Sequence, residues 1–379
     1  MNFEITRSKA LKKLDGFIEK NILHYNLKRN FDFGVDTRNN VSCLSPYISH
    51  RLITEYETVK KVLSKHSFQK VDKFIQEIFW RVYWKGWLEL RPQVWSDFIE
   101  DLQKIKEDDK FRNAINGETQ IECFNDWVKE LKENNYLHNH TRMWFASIWI
   151  FTLELPWQKG AEFFMKYLLD GDAASNTLSW RWVAGLQTKG KHYVAQNWNI
   201  SKFTNNRYQN IKLNENALPL VDKRDYKLKT LEIEKNEKSN ETLILFENDL
   251  NIETLNLQTY EQVYCVLISN NKRKIKIDEK VLNFKKNLIN DLAKRYEKVN
   301  IIDEISLIEL SNTFKSFDVI YPSIGENLSF IKNLQKKNNL ELNFIIRSGD
   351  EYCWQFSNKG YFNFKSNIPK ILQKLNLSI

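Results

Sequence analysis

Glycine is scarce in this chain, at 11 of 379 residues, and proline scarcer still, at 6. So little glycine disfavours loops that cradle phosphates by close backbone approach. Cysteine is limited to Cys43, Cys123, Cys265 and Cys353, far apart, with no C-x-x-C or C-x-x-H pair. That disfavours both a disulfide framework and a cysteine-rich zinc site, and it points to a reducing, cytoplasmic setting. Long apolar runs are missing. The most apolar stretch, "MWFASIWIFTLELPW" from Met143, contains Glu154 and meets Pro156, so it reads as a buried helix and no membrane span is expected. The opening "MNFEITRSKALKKLDGF" has neither an apolar centre nor a small-residue cleavage site, and does not read as a signal peptide.

What the chain does have is tryptophan and positive charge. It carries 57 Lys and Arg against 48 Asp and Glu, a net +9. Such an excess is compatible with polyanion partners such as nucleic acid, and equally with a bias toward lysine, asparagine and isoleucine. Of the 12 tryptophans, all but Trp354 lie between Trp80 and Trp198. The length allows two domains. Helical periodicity dominates the first part, as in "VDKFIQEIFWRVYWKGWLEL", where Phe74, Ile78, Phe79 and Val82 recur at helical spacing. "ECFNDWVKELKENN" and "QKGAEFFMKYLLDG" behave alike. Composition changes near residue 225, and "EIEKNEKSNET" (232–242) reads as a linker. Beyond it, short apolar runs such as "ETLILFEND" and "QVYCVLIS" alternate with helix-length segments, which predicts a doubly wound parallel sheet. No G-x-G-x-x-G follows its first strand, so a dinucleotide site is not expected there. The expected organisation is a helical domain over 1–228, a linker over 229–240 and an α/β domain over 241–379.

One stretch asks for chemistry. "DGDAASNTLSWRW" (170–182) packs two carboxylates, an amide and two indoles into thirteen residues. Asp170-Gly171 suits a turn and Asp172 suits a helix N-cap. Asn176 and Trp180, four apart, share a helix face, whereas Trp182 points elsewhere. Upstream, "LHNHTRMWFAS" (137–147) puts Arg142 on an apolar helix, where a guanidinium needs a partner. Asp170 or Asp172 could supply it, or the pair could be a structural bridge between helices.

These residues resemble the flavin domain of DNA photolyases and cryptochromes. "HNHTRMWFAS" is similar to that family's N-R-x-R-M, and "PWQKGAEFFMKYLLDGDAASNTLSWRW" to its W-x-x-G and D-G-D-x-A-x-N-x-x-x-W-x-W. In the same order, "VSCLSPYISHRL" (41–52) is similar to its phosphate segment and "FIQEIFWRVYW" (74–84) to its N-E-L-x-W-R-E-F helix. The resemblance spans about residues 20–205. It implies an all-helical photolyase-type FAD-binding domain followed by a Rossmann-like sheet domain, with FAD as cofactor.

It also implies roles. Ser42, Cys43, Leu44 and Ser45 would hold the FAD pyrophosphate, with Tyr25 in the phosphate region and Arg81 approaching from the second helix. Asp170 and Asp172 would accept from flavin and ribose donors, with Arg142 pairing Asp170. Asn176 would face flavin N5, where an amide can donate or accept. Trp180 would be the first electron donor, Trp157 the next hop and Trp95 the third. Glu77 and Trp80 would hydrogen-bond and stack on a pyrimidine dimer flipped from damaged DNA, with Asn139 and Met143 as further contacts.

The chain also departs from that pattern. His140 stands where the family has arginine, and Cys43 replaces a basic residue. A glutamine expected to contact DNA has no counterpart in "KGKHYVAQNWNISKFTNNRY" (189–208). His138 and His140 raise a (6-4) photoproduct enzyme as an alternative lesion class, disfavoured by Asn139 and Met143. Four scattered cysteines do not support an iron–sulfur cluster. "TLILFENDLNIETL" (242–255) resembles the opening strand of the family's antenna domain, with Glu247 and Asn251 at arginine positions. "GYFNFKSNIPKIL" (360–372) resembles that domain's closing segment. A circular permutation with the antenna-like domain second is therefore expected, its pigment unspecified. The function expected is light-driven splitting of cyclobutane pyrimidine dimers by a cytoplasmic monomer. The alternative is a cryptochrome-like blue-light photoreceptor without repair.

Overall fold

The amphipathic stretches of the first part fold as helices: α1 (Arg7–Lys20), α2 (Tyr25–Lys28), α3 (Ser45–Ser49), α4 (Glu55–Leu63), α5 (Phe68–Glu89), α6 (Gln93–Lys104), α7 (Asp109–Asn116), α8 (Glu122–Asn134), α9 (Asn139–Ser147), α10 (Trp157–Tyr167), α11 (Ala173–Ala184) and α12 (Asn197–Phe203). The structure is a computed structural model that describes residues 3–231 and 238–377. The centre of the expected linker, 232–237, lies outside the described residues. No described helix is long and apolar enough to cross a membrane.

Three local features shape the helical part. The apolar stretch from Met143 does not run as one helix. After α9 it widens into a π-turn at Ile148–Thr152 and reverses at Glu154, whose φ is 53°. Asp172 caps α11 by accepting from the Ser175 backbone N–H at 2.8 Å, and Gly185 ends it with a φ of 82°. Gly160 on α10 faces the α11 indole, and a Cβ there would sit 2.3 Å from the Trp180 ring. Glycine is what lets these two helices approach.

The second part contains five strands, β1 (Thr242–Phe246), β2 (Gln262–Leu267), β3 (Val299–Asp303), β4 (Ser316–Ile320) and β5 (Glu341–Ile345). All pair in parallel, in the order β3-β2-β1-β4-β5. The crossovers are α13 (Glu279–Arg295), α14 (Glu304–Thr313) and α15 (Glu326–Asn338), followed by α16 (Ser348–Trp354), α17 (Tyr361–Ser366) and α18 (Ile368–Lys374). Alternate residues of β1 enter different cores. Leu243 and Leu245 join the core shared with the helical part, while Ile244 and Phe246 join Phe317, Val319 and Leu328 on the opposite face. A strand covered on both faces must be apolar throughout, which is why "LILF" shows no alternation.

In such a sheet the ligand crevice lies beyond the carboxyl ends of the strands where their order reverses, here β1 and β4. Helical residues fill it. Glu89, at the end of α5, accepts from Tyr321 Oη at 2.7 Å and from the Ile324 N–H at 2.8 Å. Arg51 donates twice to Asp350, at 2.6 and 2.8 Å, and to Asp249 at 3.0 Å. Arg347 also pairs with Asp249, and Tyr56 Oη donates to Asp350 at 2.9 Å. The His50 ring lies between the carbonyls of Leu169 (2.8 Å) and Glu247 (3.0 Å). Gly86 completes the fit, since a Cβ there would come within 2.6 Å of Trp354 on α16.

Candidate functional site

A cavity of about 550 Å³ opens among α2, α5, α9, α10 and α11 and the segment leading into α3. Most of the expected site residues line it: Tyr25, Ser42, Cys43, Leu44, Ser45, Glu77, Trp80, Arg81, Asn139, Arg142, Met143, Asp170, Asn176 and Trp180. Asp172, Trp157 and Trp95 are placed elsewhere.

The floor is acidic and buried. Asp170 lies 3.0 Å from Arg142 Nη1, with its side chain 1% exposed. Burial would raise this carboxyl, but Arg142 and Arg81 outweigh it and hold the group below its ordinary range. Ser45 and Arg142 lie close enough to help hold it down, yet neither carboxylate oxygen takes a well-aligned hydrogen bond, so both keep accepting capacity. Ser175 Oγ and Trp180 Nε1, both buried, also have no hydrogen-bond partner within the protein. Unpartnered buried polar atoms are costly, and their gathering on one wall marks a surface built for a polar ligand. Asn176 Nδ2 donates to the Ala161 carbonyl at 2.8 Å, which anchors the amide and leaves its oxygen as an acceptor.

Asp172 has a different task from its neighbour. Its oxygens accept from the Ser175 N–H and from Arg81 Nη1. It therefore fastens α11 to α5 behind the wall and presents Arg81 to the cavity. The phosphate-type segment arrives through a strained residue: Cys43 has a φ of 49° and a buried thiol, which burial pushes up toward the neutral form.

At the mouth, α5 presents Glu77, Trp80, Arg81 and Trp84 on one face. Glu77 pairs with Arg29 at 2.5 Å. Burial raises the Glu77 carboxyl, and Arg29 only partly opposes this. The group is thus easier to protonate than an ordinary glutamate and can offer a proton across a hydrogen bond. Arg29 was not among the expected residues; its only sequence signal is its place just after Tyr25. The two histidines serve the entry of α9. His138 accepts from the His140 N–H, and burial pushes it down to about 3. His140 lies 3.0 Å from the Asn30 carbonyl and 4.2 Å, centroid to centroid, from Trp144. Burial lowers it as well, so both rings are neutral at pH 7.

The tryptophans expected to relay electrons fall into two groups. Trp180 meets Trp149 edge to face at 6.2 Å, and also Phe145 and Phe164. Trp157 stacks on Phe98 at 5.5 Å, and Phe98 separates it from Trp95. The expected third hop thus lies beyond a ring that is hard to oxidise. The Arg181 guanidinium sits 5.8 Å from the Trp157 ring centre. Trp149 went unnoticed because its sequence context is that of an ordinary core residue. Trp182, expected to point elsewhere, also lines the cavity and stacks on Tyr193 at 5.9 Å.

All four cysteines are buried and free. Among the described residues no cluster of three or more His, Cys, Asp or Glu could hold a metal ion. The donor set instead suits an organic cofactor with polar and anionic groups: hydroxyls, arginines, an arginine-paired carboxylate with accepting capacity left, and an amide line one cavity.

Comparisons with known proteins agree with that donor set. Residues 74–226 match the family model for the FAD binding domain of DNA photolyase. The chain is 31% identical over 183 residues to a deoxyribodipyrimidine photo-lyase of Agrobacterium fabrum, covering 46% of this chain and 37% of that protein. It is 25% identical over 201 residues to its counterpart in Vibrio cholerae, covering 51% and 41%. The chain spans about two fifths of the length of these curated relatives. Among solved structures it is similar to a bacterial class III photolyase from Agrobacterium tumefaciens, at 28% identity over 53% of this chain and 43% of that one, with a TM-score of 0.46. For the Synechocystis sp. PCC6803 cryptochrome the values are 20%, 54% and 44%, with a TM-score of 0.48.

Proposed function

We propose that this chain, whose residues 74–226 match the family model for the FAD binding domain of DNA photolyase, is a light-driven, FAD-dependent enzyme of the photolyase/cryptochrome family that splits cyclobutane pyrimidine dimers in DNA. The observation that carries this reading is the joint placement of Glu77, Trp80, Asn139 and Met143 around the mouth of a cavity floored by Asp170. Reduced FAD, when bound and excited by light, would lend the dimer one electron and recover it. The remaining roles belong to the protein. Asp170 accepts from ring donors, Arg142 keeps that carboxylate ionised, and Ser42 and Ser45 offer hydroxyls to the anionic end. Asn176, anchored on α10, offers its oxygen to the ring edge. Trp80 offers a π-face to a flipped base, and Glu77 a carboxyl that can share a proton with a base carbonyl. Trp180, with Trp149 against it, is the indole placed to supply electrons toward the cavity. We further propose that residues 241–379 are the antenna-like partner of the helical half.

Purified protein with reduced FAD should restore a dimer-containing oligonucleotide under blue light and leave it unchanged in the dark. No repair with bound flavin present would sink the reading. Trp180→Phe should slow photoreduction of the oxidised cofactor while sparing repair by pre-reduced enzyme. Trp149→Phe should also slow it, by more than Trp157→Phe does.

One observation favours a second reading, a blue-light photoreceptor without repair. Glu77 is already held by Arg29, so a lesion must displace or share that partner. Photoreduction without repair in the wild type, and repair gained in Arg29→Ala, would support it.

A further inference from the structure

The indole expected to stack on a flipped base is not held by the helical half alone. Trp80 lies face to face with Tyr361 of α17, with ring centroids 3.5 Å apart and planes inclined by 13°. Tyr361 is buried, and its hydroxyl donates to the Gln76 carbonyl, one turn before Trp80 on α5, at 2.6 Å. Phe364 backs Tyr361 at 6.1 Å and 16°, and itself meets Phe79 and Tyr83. Tyr83 in turn donates to the Lys359 carbonyl at 3.0 Å. The edges of Trp80 are fixed by Trp84 at 5.0 Å and Tyr83 at 5.6 Å. One face of the indole is therefore covered by Tyr361, and the half-buried ring lines the cavity with the surface that these aromatic contacts leave uncovered.

We propose that Tyr361 is a positioning residue for the base-binding wall, so that the α/β half sets the orientation in which Trp80 meets its ligand. The inference rests on the reading of the cavity mouth as a base-binding site. A ring clamped between a stack and two edge contacts has little rotamer freedom left to lose when a base adds to its open face. A base, Trp80 and Tyr361 would then form one continuous stack, with Phe364 behind it. Without Tyr361, Trp80 keeps its contacts along α5 but loses the partner that fixes its tilt.

The test measures dark binding of full-length, flavin-loaded protein to an oligonucleotide carrying one thymine dimer, beside its undamaged twin. An aromatic pair of this kind is worth about a 2- to 10-fold change in affinity. Y361L should weaken lesion binding by that factor, leaving flavin content and affinity for the undamaged strand unchanged. Y361F keeps the ring and should bind as the wild type does. The decisive readout is coupling: in a W80A background, Y361L should have no further effect, whereas a merely structural role would be additive. Should Y361L fail to fold, Y361H offers a flat but smaller ring and should show a partial loss. If W80A weakens lesion binding while Y361L and Y361H do not, the inference is overturned and the cavity reading stands. Unchanged lesion binding in W80A itself would overturn the base-binding reading instead.

Discussion

Asp170 and Asp350 are both buried carboxylates facing arginine, yet they stand in opposite conditions. Asp350, where the two halves of the molecule meet, takes two hydrogen bonds from Arg51 and one from Tyr56. Asp170, on the cavity floor, is neutralised by Arg142 but takes no aligned hydrogen bond. Charge is balanced in both places; hydrogen bonding is completed in only one. A fully satisfied buried carboxylate belongs to the architecture, while one with unused lone pairs beside a cavity is poised for a ligand. Glu55 also has no aligned donor, but it lies away from the cavity, between Arg51 at 3.3 Å and Lys85 at 3.9 Å. The diagnostic is thus the combination of an open lone pair and an open space.

The comparison can be broken most forcefully at Arg51. Arg51→Ala leaves Asp249, Asp350 and Glu55 buried together without their shared cation, and should destabilise the protein by about 3–5 kcal/mol in urea unfolding. A loss below 1 kcal/mol would mean that water relieves this cluster. Asp170→Asn should do the reverse. Thermal stability should hold or rise, while flavin retained through gel filtration should fall, with affinity about 10- to 100-fold weaker, as expected for a lost charged acceptor. Retained flavin would remove Asp170 from the site. Gly160→Ala presses a methyl group into the Trp180 ring and should destabilise by about 1–3 kcal/mol, with a changed near-ultraviolet dichroism reporting the displaced indole.

The smallest effect belongs to Glu89. Burial pushes this carboxyl up to about 7, against the opposing hydrogen bonds from Tyr321 and Ile324. The folded protein therefore holds this proton more tightly than the unfolded chain. That contribution is complete below the ordinary glutamate range and is lost as pH rises through about 7. Glu89→Gln should flatten the fall in melting temperature between pH 5 and 8 relative to wild type. Parallel curves would show that Glu89 ionises normally.

Elements with strong periodicity were legible in the sequence: α5, α8, α10 and strands β1 and β2 fall where spacing and apolar runs place them. That Arg142 has a carboxylate partner was legible too, because an arginine on an apolar helix requires one; of the two candidates Asp170 and Asp172, the structure pairs it with Asp170. Three features were not. The Asp172 cap was read from the sequence, but its pairing with Arg81, a contact between helices far apart in the chain, was not. Trp149 reaches Trp180 only because Gly160 admits the ring, a contact between side chains far apart in sequence. Tyr361 meets Trp80 across 281 positions of chain, and local periodicity says nothing about such contacts.

The crevice filled by Glu89 and Arg51 also bears on synthesis. The helical half leaves the ribosome before its acidic partners exist, so Arg51 and Glu55 must wait in water until Asp249 and then Asp350 have been made. Strands β2 to β5 separate those two aspartates. Final closure is thus deferred until nearly the whole sheet has emerged, and a nascent chain halted earlier would expose the apolar helical surface that the sheet later covers, beside its unpaired charges.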